Sequence, residues 1–276
     1  MICATFIGDL QAALPAGLLL LGVGGTLAVA LLFAHQTLRV EQDPRVEAIY
    51  QVLPHLDCGA CGYAGCSSYA KAVLADPTLI GRCSPGGPAV AQRLAAILSV
   101  ESAGSSHPIR AVVHCNAHTM DKTYYGNYEG IASCIAGNTL TSAQACRFGC
   151  LGMGDCVRAC RFDAIHMVDG LATVDYQRCT GCGACAKVCP RGIIEMVTFQ
   201  QSMMMVVACN SKEDGRTTRA MCKAGCIGCG LCAKQSDIFV VSDNLSKIDY
   251  SHYRHDEGTD QAMAKCPTKV IIWRGC

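Results

Sequence analysis

The sequence predicts an α+β protein of several small domains: one membrane-length helix, then a small helical module, then two tandem α+β units. Three observations carry this. The chain from Leu14 to Ala34 holds no charged residue. Twenty-two cysteines in 276 residues fall mostly into tight bursts. One of those bursts, from Cys146 to Cys160, recurs at a fixed offset in the second half. The nearly balanced charge of +1 excludes the strongly basic face that nucleic-acid binding requires.

The first element is the apolar run. About 20 such residues cross the hydrocarbon core of a bilayer as a helix. A cleaved signal peptide would begin with positive charge, but the first 14 residues carry Asp9 and no Lys or Arg. Arg39 and Arg45 follow the run, so the positive-inside rule expects the N-terminus outside and the remainder on the cytoplasmic side. The anchor is expected over residues 1–38, with Gly22, Gly24 and Gly25 as a small-residue patch for another membrane helix.

The second element is the helical module, expected over 39–100. Asp43-Pro44 reads as a helix start, and Val46, Ile49, Tyr50 and Leu53 form an apolar stripe. Cys58-x2-Cys61-x4-Cys66 follows, with Cys83 completing a set of four, and Val90–Val100 reads as a closing helix. Zinc is the rival ligand for this spacing. A Ser/Gly-rich linker is expected over 101–109.

The third element carries the sharpest motif, Cys179-x2-Cys182-x2-Cys185-x3-Cys189-Pro190. Three thiolates within seven residues wrap one face of a cubane, and the fourth reaches a neighbouring cluster, as in the bacterial ferredoxin run. Gly181 and Gly183 are expected to let the backbone approach the inorganic sulfurs. Disulfides fit such close neighbours poorly, and structural zinc favours separated pairs. The expected cofactors are therefore [4Fe-4S] clusters, and the expected chemistry is electron transfer.

Internal repetition divides the remainder into ferredoxin-like units at 110–200 and 201–276. Cys146-x3-Cys150-x5-Cys156-x3-Cys160 recurs as Cys222-x3-Cys226-x5-Cys232-x3-Ser236 at an offset of 76. Val112–Asn116 resembles Val206–Asn210, and Asp169-Gly170 and Asp243-Asn244 read as hairpin turns. The crossed rule assigns Cys160 to Cys179, Cys182 and Cys185. It assigns Cys189 to Cys150 and Cys156, where Met153 occupies the middle ligand position. Cys146, one turn upstream, is the expected substitute. In the second unit Cys226, Cys229 and Cys232 pair with Cys266. Its other site is stripped, with Ser236, Tyr253, Asp256 and Thr259 where cysteines would stand.

Four clusters account for sixteen cysteines. Cys115, Cys134, Cys209 and Cys222 suffice for a fifth shared between the units, since Cys115 and Cys209 correspond in the repeat. The alternative grouping moves Cys146 into that set and leaves a three-cysteine site; a free buried thiol is the alternative for Cys134. Cys3 and Cys276 are not ligand candidates. His55 could tune a cluster through hydrogen bonding. His35 reads as interfacial, and His114, His118, His252 and His255 read as surface residues. Met203–Met205 reads as core. No residue is expected to be catalytic: no G-x-G-x-x-G follows a strand, and no P-loop or Ser-His-Asp arrangement is evident.

Anchor, C-x2-C-x4-C…C module, linker and ferredoxin units together resemble the B subunit of the Rnf ion-translocating oxidoreductase complexes, in its long, multi-cluster form. The resemblance rests on DCGACGYAGCSSYA (57–70) with RCSP (82–85), GCLGMGDCVRAC (149–160), RCTGCGACAKVCPRGII (178–194) and CKAGCIGCGLC (222–232). It departs at Arg161, where proline usually follows the cysteine, and at the stripped last site. The resemblance implies a relay taking electrons from soluble ferredoxin toward other membrane and flavin-containing subunits. It also implies that ferredoxin:NAD oxidoreduction is coupled to Na+ or H+ movement across the bacterial inner membrane. A membrane-anchored polyferredoxin serving a reductase or redox regulator, without pumping, is the alternative.

Overall fold

The computed structural model describes residues 2–37, 43–100, 107–139 and 144–275, with side chains of the first stretch described from Leu18 to Gln36. The Cys3 side chain, Cys276, Arg39 and the linker from Glu101 to Ser106 lie outside what is described. The chain divides into two compact units, Met1–Pro44 and Arg45–Cys276.

The first unit is one helix, α1 (Ile2–Thr37). Within it Leu18–Gln36 is long and apolar enough to cross a membrane, and its large apolar side chains are exposed, Leu20 at 75%.

The second unit opens with α2 (Pro44–Val52), α3 (Cys66–Ala75) and α4 (Gly87–Leu98). Proline is tolerated at the first turn of α2 because the N–H it lacks there would have no helical partner. Ile49, Leu53, Tyr69, Val73 and Leu94 form the core of this module. The buried Tyr69 hydroxyl donates to the Leu79 carbonyl at 2.9 Å, satisfying the phenol inside apolar packing. Ser99, with φ 53°, ends α4 in the left-handed conformation.

Each ferredoxin-like unit pairs its first strand with its last. β1 (Ile109–Val113) leads to α5 (Cys134–Thr139) and α6 (Asp155–Arg158), then to the hairpin of β2 (Ile165–Val168) and β3 (Leu171–Val174). α7 (Ala184–Val188) follows, and β4 (Ile194–Thr198) returns antiparallel to β1 with Ile109 opposite Thr198. The second unit repeats the plan. β5 (Met203–Val207), α8 (Gly215–Met221), the hairpin β6 (Phe239–Ser242)–β7 (Leu245–Ile248) and α9 (Glu257–Lys265) precede β8 (Ile271–Gly275), which pairs with β5. Both hairpin turns have two residues at positive φ, Asp169-Gly170 at 45° and 72° and Asp243-Asn244 at 49° and 58°. That is the twist two-residue hairpins need.

Side-chain alternation on β1 holds the two ferredoxin-like units together. Ala111 and Val113 face the core of their own unit, while Val112 joins Met204, Met205, Val206, Phe239 and Leu245 in the other. Met204 and Met205 are fully buried, as expected for that run, but Met203, expected with them in the core, is 41% exposed. His114, expected at the surface, is instead caught between the units. Its Nδ1 lies 2.9 Å from the Val207 carbonyl and its Nε2 2.9 Å from Glu195, and only 17% of the side chain is exposed. Gly181 also has a reason beyond the one expected: at φ 73° a Cβ there would run into the Ile109 carbonyl, so it lets the ligand loop close on β1.

Candidate iron–sulfur sites

In the helical module, Cys58, Cys61 and Cys66 lie on one loop, and the Cys66 amide donates to Asp57 at 2.6 Å as α3 begins. Cys83 comes to them from beyond the Pro77–Leu79 turn. Burial pushes its thiol up to about 11, and the neighbouring Cys66, Cys61 and Cys58 push the same way. Crowded, buried thiols resist ionising in each other's company; iron reverses this by binding the thiolate form.

Four further sets each ring a cavity. Cys160, Cys179, Cys182 and Cys185 line one, with Ala111, Ala164 and Met196. The Ala111 amide points to Cys179 Sγ at 3.5 Å and the Ala164 amide to Cys160 Sγ at 3.4 Å. Cys226, Cys229, Cys232 and Cys266 line another, with Ser246 Oγ 3.1 Å from Cys232 Sγ. Both groupings coincide with those read from spacing.

The other two cavities exchange a cysteine relative to that reading. Cys150, Cys156 and Cys189 share their cavity with Cys134, not with Cys146. Asp155, on the first residue of α6, explains the exchange: its carboxylate accepts from Ser133 Oγ at 3.0 Å and from the Ile135 amide at 3.1 Å. Arg158 ties down the same segment through the Ala132 carbonyl at 2.9 Å. Burial works to raise the Asp155 pKa, but those donors and Arg158 outweigh it and hold the carboxyl below the usual range. Met153 packs against Gly137 of α5.

Cys146 joins Cys115, Cys209 and Cys222 around a cavity between the two ferredoxin-like units. The Cys150 amide donates to Cys115 Sγ at 3.5 Å and the Ser211 amide to Cys209 Sγ at 3.4 Å. Lys122, 8% exposed, lines this cavity and extends its ammonium to the Gly170 carbonyl. Repeat symmetry held the signal for this set: Cys146 and Cys222 correspond at the offset of 76, as Cys115 and Cys209 do at 94.

Among the described residues no three Cys, His, Asp or Glu side chains converge closely enough to hold a single ion. His55 makes an edge contact with the Tyr50 ring, centroids 4.4 Å apart.

Residues 53–85 match the family model described as "Putative Fe-S cluster", and residues 172–195 match the "4Fe-4S binding domain". The B subunit of the Na+-translocating ferredoxin:NAD+ oxidoreductase complex of Acetobacterium woodii is 33% identical over 93% of this chain and 76% of its own length. The B subunit of the proton-translocating ferredoxin:NAD+ oxidoreductase complex of Clostridium ljungdahlii is 38% identical over 90% and 88%. The B subunit of an ion-translocating oxidoreductase complex of Methanosarcina acetivorans is 32% identical over 92% and 96%. The chain belongs to this B-subunit family. The family-model matches cover the Cys58–Cys83 set and the Cys179–Cys189 run, while the second repeat, with its stripped site, lies outside both. In this family member the stripped positions are structural: Thr259 and Asp256 cap α9 reciprocally, and Tyr253 is buried.

Proposed function

We propose that this protein is the iron–sulfur relay of a membrane ion-translocating complex. On this reading it takes electrons from reduced ferredoxin and passes them toward membrane and flavin-containing subunits, so that ferredoxin:NAD oxidoreduction drives Na+ or H+ translocation. The observation that carries the reading is the convergence of four thiols around each of four cavities, with a fifth set in the helical module. A [4Fe-4S] cluster supplies reversible one-electron storage when bound.

The assigned ligand sets are Cys58, Cys61, Cys66 and Cys83; Cys160, Cys179, Cys182 and Cys185; Cys134, Cys150, Cys156 and Cys189; Cys115, Cys146, Cys209 and Cys222; and Cys226, Cys229, Cys232 and Cys266. The chain's own work is to exclude water with apolar linings and to direct backbone amides at ligand sulfurs. Lys122 places a buried positive charge beside the set shared between the ferredoxin-like units. Such charges and hydrogen bonds set cluster potentials.

Leu18–Gln36 spans the bacterial inner membrane once on this reading, with the N-terminus outside and residues 39–276 on the cytoplasmic side. Its length supports this: 19 residues rise about 28 Å, close to the ~30 Å hydrocarbon core. The five-part division into anchor (1–38), helical module (39–100), linker (101–109) and two ferredoxin-like units (110–200 and 201–276) is retained.

Iron and sulfide analysis of the chain purified anaerobically tests the cofactor assignment, with about 20 irons expected for five clusters of four. A total near 12 would remove two of the five. Mixing with excess reduced ferredoxin tests the relay, since clusters that stay oxidised would refute it. Native-membrane purification without multi-span or flavin-bearing partners would favour a membrane-anchored donor that pumps nothing.

A further inference from the structure

The cysteine sites lie next to one another in a definite order. Arg161, directly after Cys160, donates from Nη1 to the Leu56 carbonyl at 2.6 Å, and Lys187 Nζ lies beside Gly59. These two cations dock the Cys58 loop of the helical module against the Cys160–Cys185 site. Next, Cys185 and Cys156 lie on helices α7 and α6, which pack together in one core. The Cys150 amide reaches Cys115, joining the Cys134–Cys189 site to the shared one. Finally, Cys209 of the shared site packs against the core that holds Cys226 and Cys232.

Beyond the Cys226 site the line stops. In the first unit the Ala111 amide donates to Cys179 Sγ. The equivalent amide of the second unit, Met205, donates at 2.9 Å to the Tyr253 hydroxyl. Tyr253 stands where Cys179 would, is 6% exposed, and puts its hydroxyl where a ligand sulfur would accept. Ser236 Oγ, at the Cys160 position, is buried with no hydrogen-bond partner. The continuing site is thus filled by protein.

At this end Cys229 is exposed, alone among the described cysteines, beside Leu231 at 38% exposure. Between Gly215 and Ser236 the charged side chains are Arg216, Arg219, Lys223 and Lys234; from Gln261 onward they are Lys265, Lys269 and Arg274, with no Asp or Glu in either stretch. Lys234 and Lys269 are exposed and follow Cys232 and Cys266 by two and three residues.

We propose that the five sites form one unbranched line, with the helical module at one end and the Cys226–Cys266 site at the other, and that the basic face around Cys229 docks a small acidic one-electron carrier. Exchange there moves one electron from the reduced carrier to the Cys226–Cys266 site; the carrier is oxidised, and no bond or proton need change hands. Exposed lysines next in sequence to the ligands of the end site complement a carboxylate-rich partner, and such attraction weakens with salt.

This rests on the relay reading above, and the test separates the two. The full-length, iron-loaded chain is titrated calorimetrically with oxidised ferredoxin, an acidic carrier, at low and high salt, and the complex is cross-linked with a carbodiimide. Lys234→Glu with Lys269→Glu is expected to weaken binding at least tenfold at low salt. Cross-links are expected at Lys234, Lys265 or Lys269, and Lys71→Glu on the helical module should bind within twofold of the parent. Unchanged affinity in the double variant, or cross-links at Lys71, overturns the docking proposal while leaving the relay standing. A parent chain that binds no ferredoxin and whose clusters stay oxidised beside reduced ferredoxin overturns both.

Discussion

Cys134 shows how much one side chain can redirect an assignment. It sits 16 residues before Cys150 with nothing in its local spacing to mark it, yet Asp155 holds the Ser133–Ile135 backbone so that it completes a four-thiol cavity. Cys134→Ser and Cys150→Ser should therefore abolish the same paramagnetic signal, and the double variant should lose no more iron than either alone. Cys146→Ser should share its signal with Cys222→Ser instead. Electron paramagnetic resonance with iron counts on the four variants decides, and Cys146 paired with Cys150 would reverse the exchange. Asp249 allows a second test at this scale. Hydrogen bonds from Ser251, first through its side chain, and then from His252 hold its carboxyl down to about 2. A depressed carboxyl stabilises the fold above its ordinary pKa near 4, and that contribution is lost as pH falls toward 2. Carbon-detected NMR titration should find the low midpoint, with Ser251→Ala returning it toward 4.

At the scale of elements, the ligand loops are shaped by the strands they cross. Gly181, at φ 73°, lets the Cys179–Cys185 loop approach the carbonyl of Ile109 on β1. Gly181→Ala should cost more than the ~1 kcal/mol of a simple left-handed penalty, because its Cβ meets backbone that cannot swing aside. Chemical denaturation of the loaded protein measures this, and an unchanged midpoint would contradict the close approach. The hairpins were legible from Asp169-Gly170 and Asp243-Asn244, since so few residue types accept positive φ at two successive positions. His114 was not, because nothing in its neighbourhood signals that Val207 and Glu195 close over it from two other strands.

For the whole molecule, the division after Pro44 separates a helix of membrane-spanning length from a unit that carries its own cores. Removing residues 1–37 should yield a chain that no longer sediments with membranes and retains all of its iron. Loss of iron on truncation would show that α1 supports the sites. The membrane-length helix, the helices around Cys58–Cys83 and the repeated strand–hairpin plan could be read from the chain, as could three of the cysteine groupings. Cys58–Cys66, Cys179–Cys185 and Cys226–Cys232 are each contributed by one short loop, so covalent spacing alone confines the thiols to one face of a cluster. The tertiary structure decided the rest. Cys134 was placed by a carboxylate on another helix, Cys115, Cys146, Cys209 and Cys222 were gathered from four segments by the packing of β1 against the second ferredoxin-like unit, and the stripped site was filled by Tyr253. Sequence spacing specifies a ligand set when the chain between the ligands is too short to choose otherwise. When the ligands lie tens of residues apart, only the contacts that fold the intervening chain select among the cysteines available.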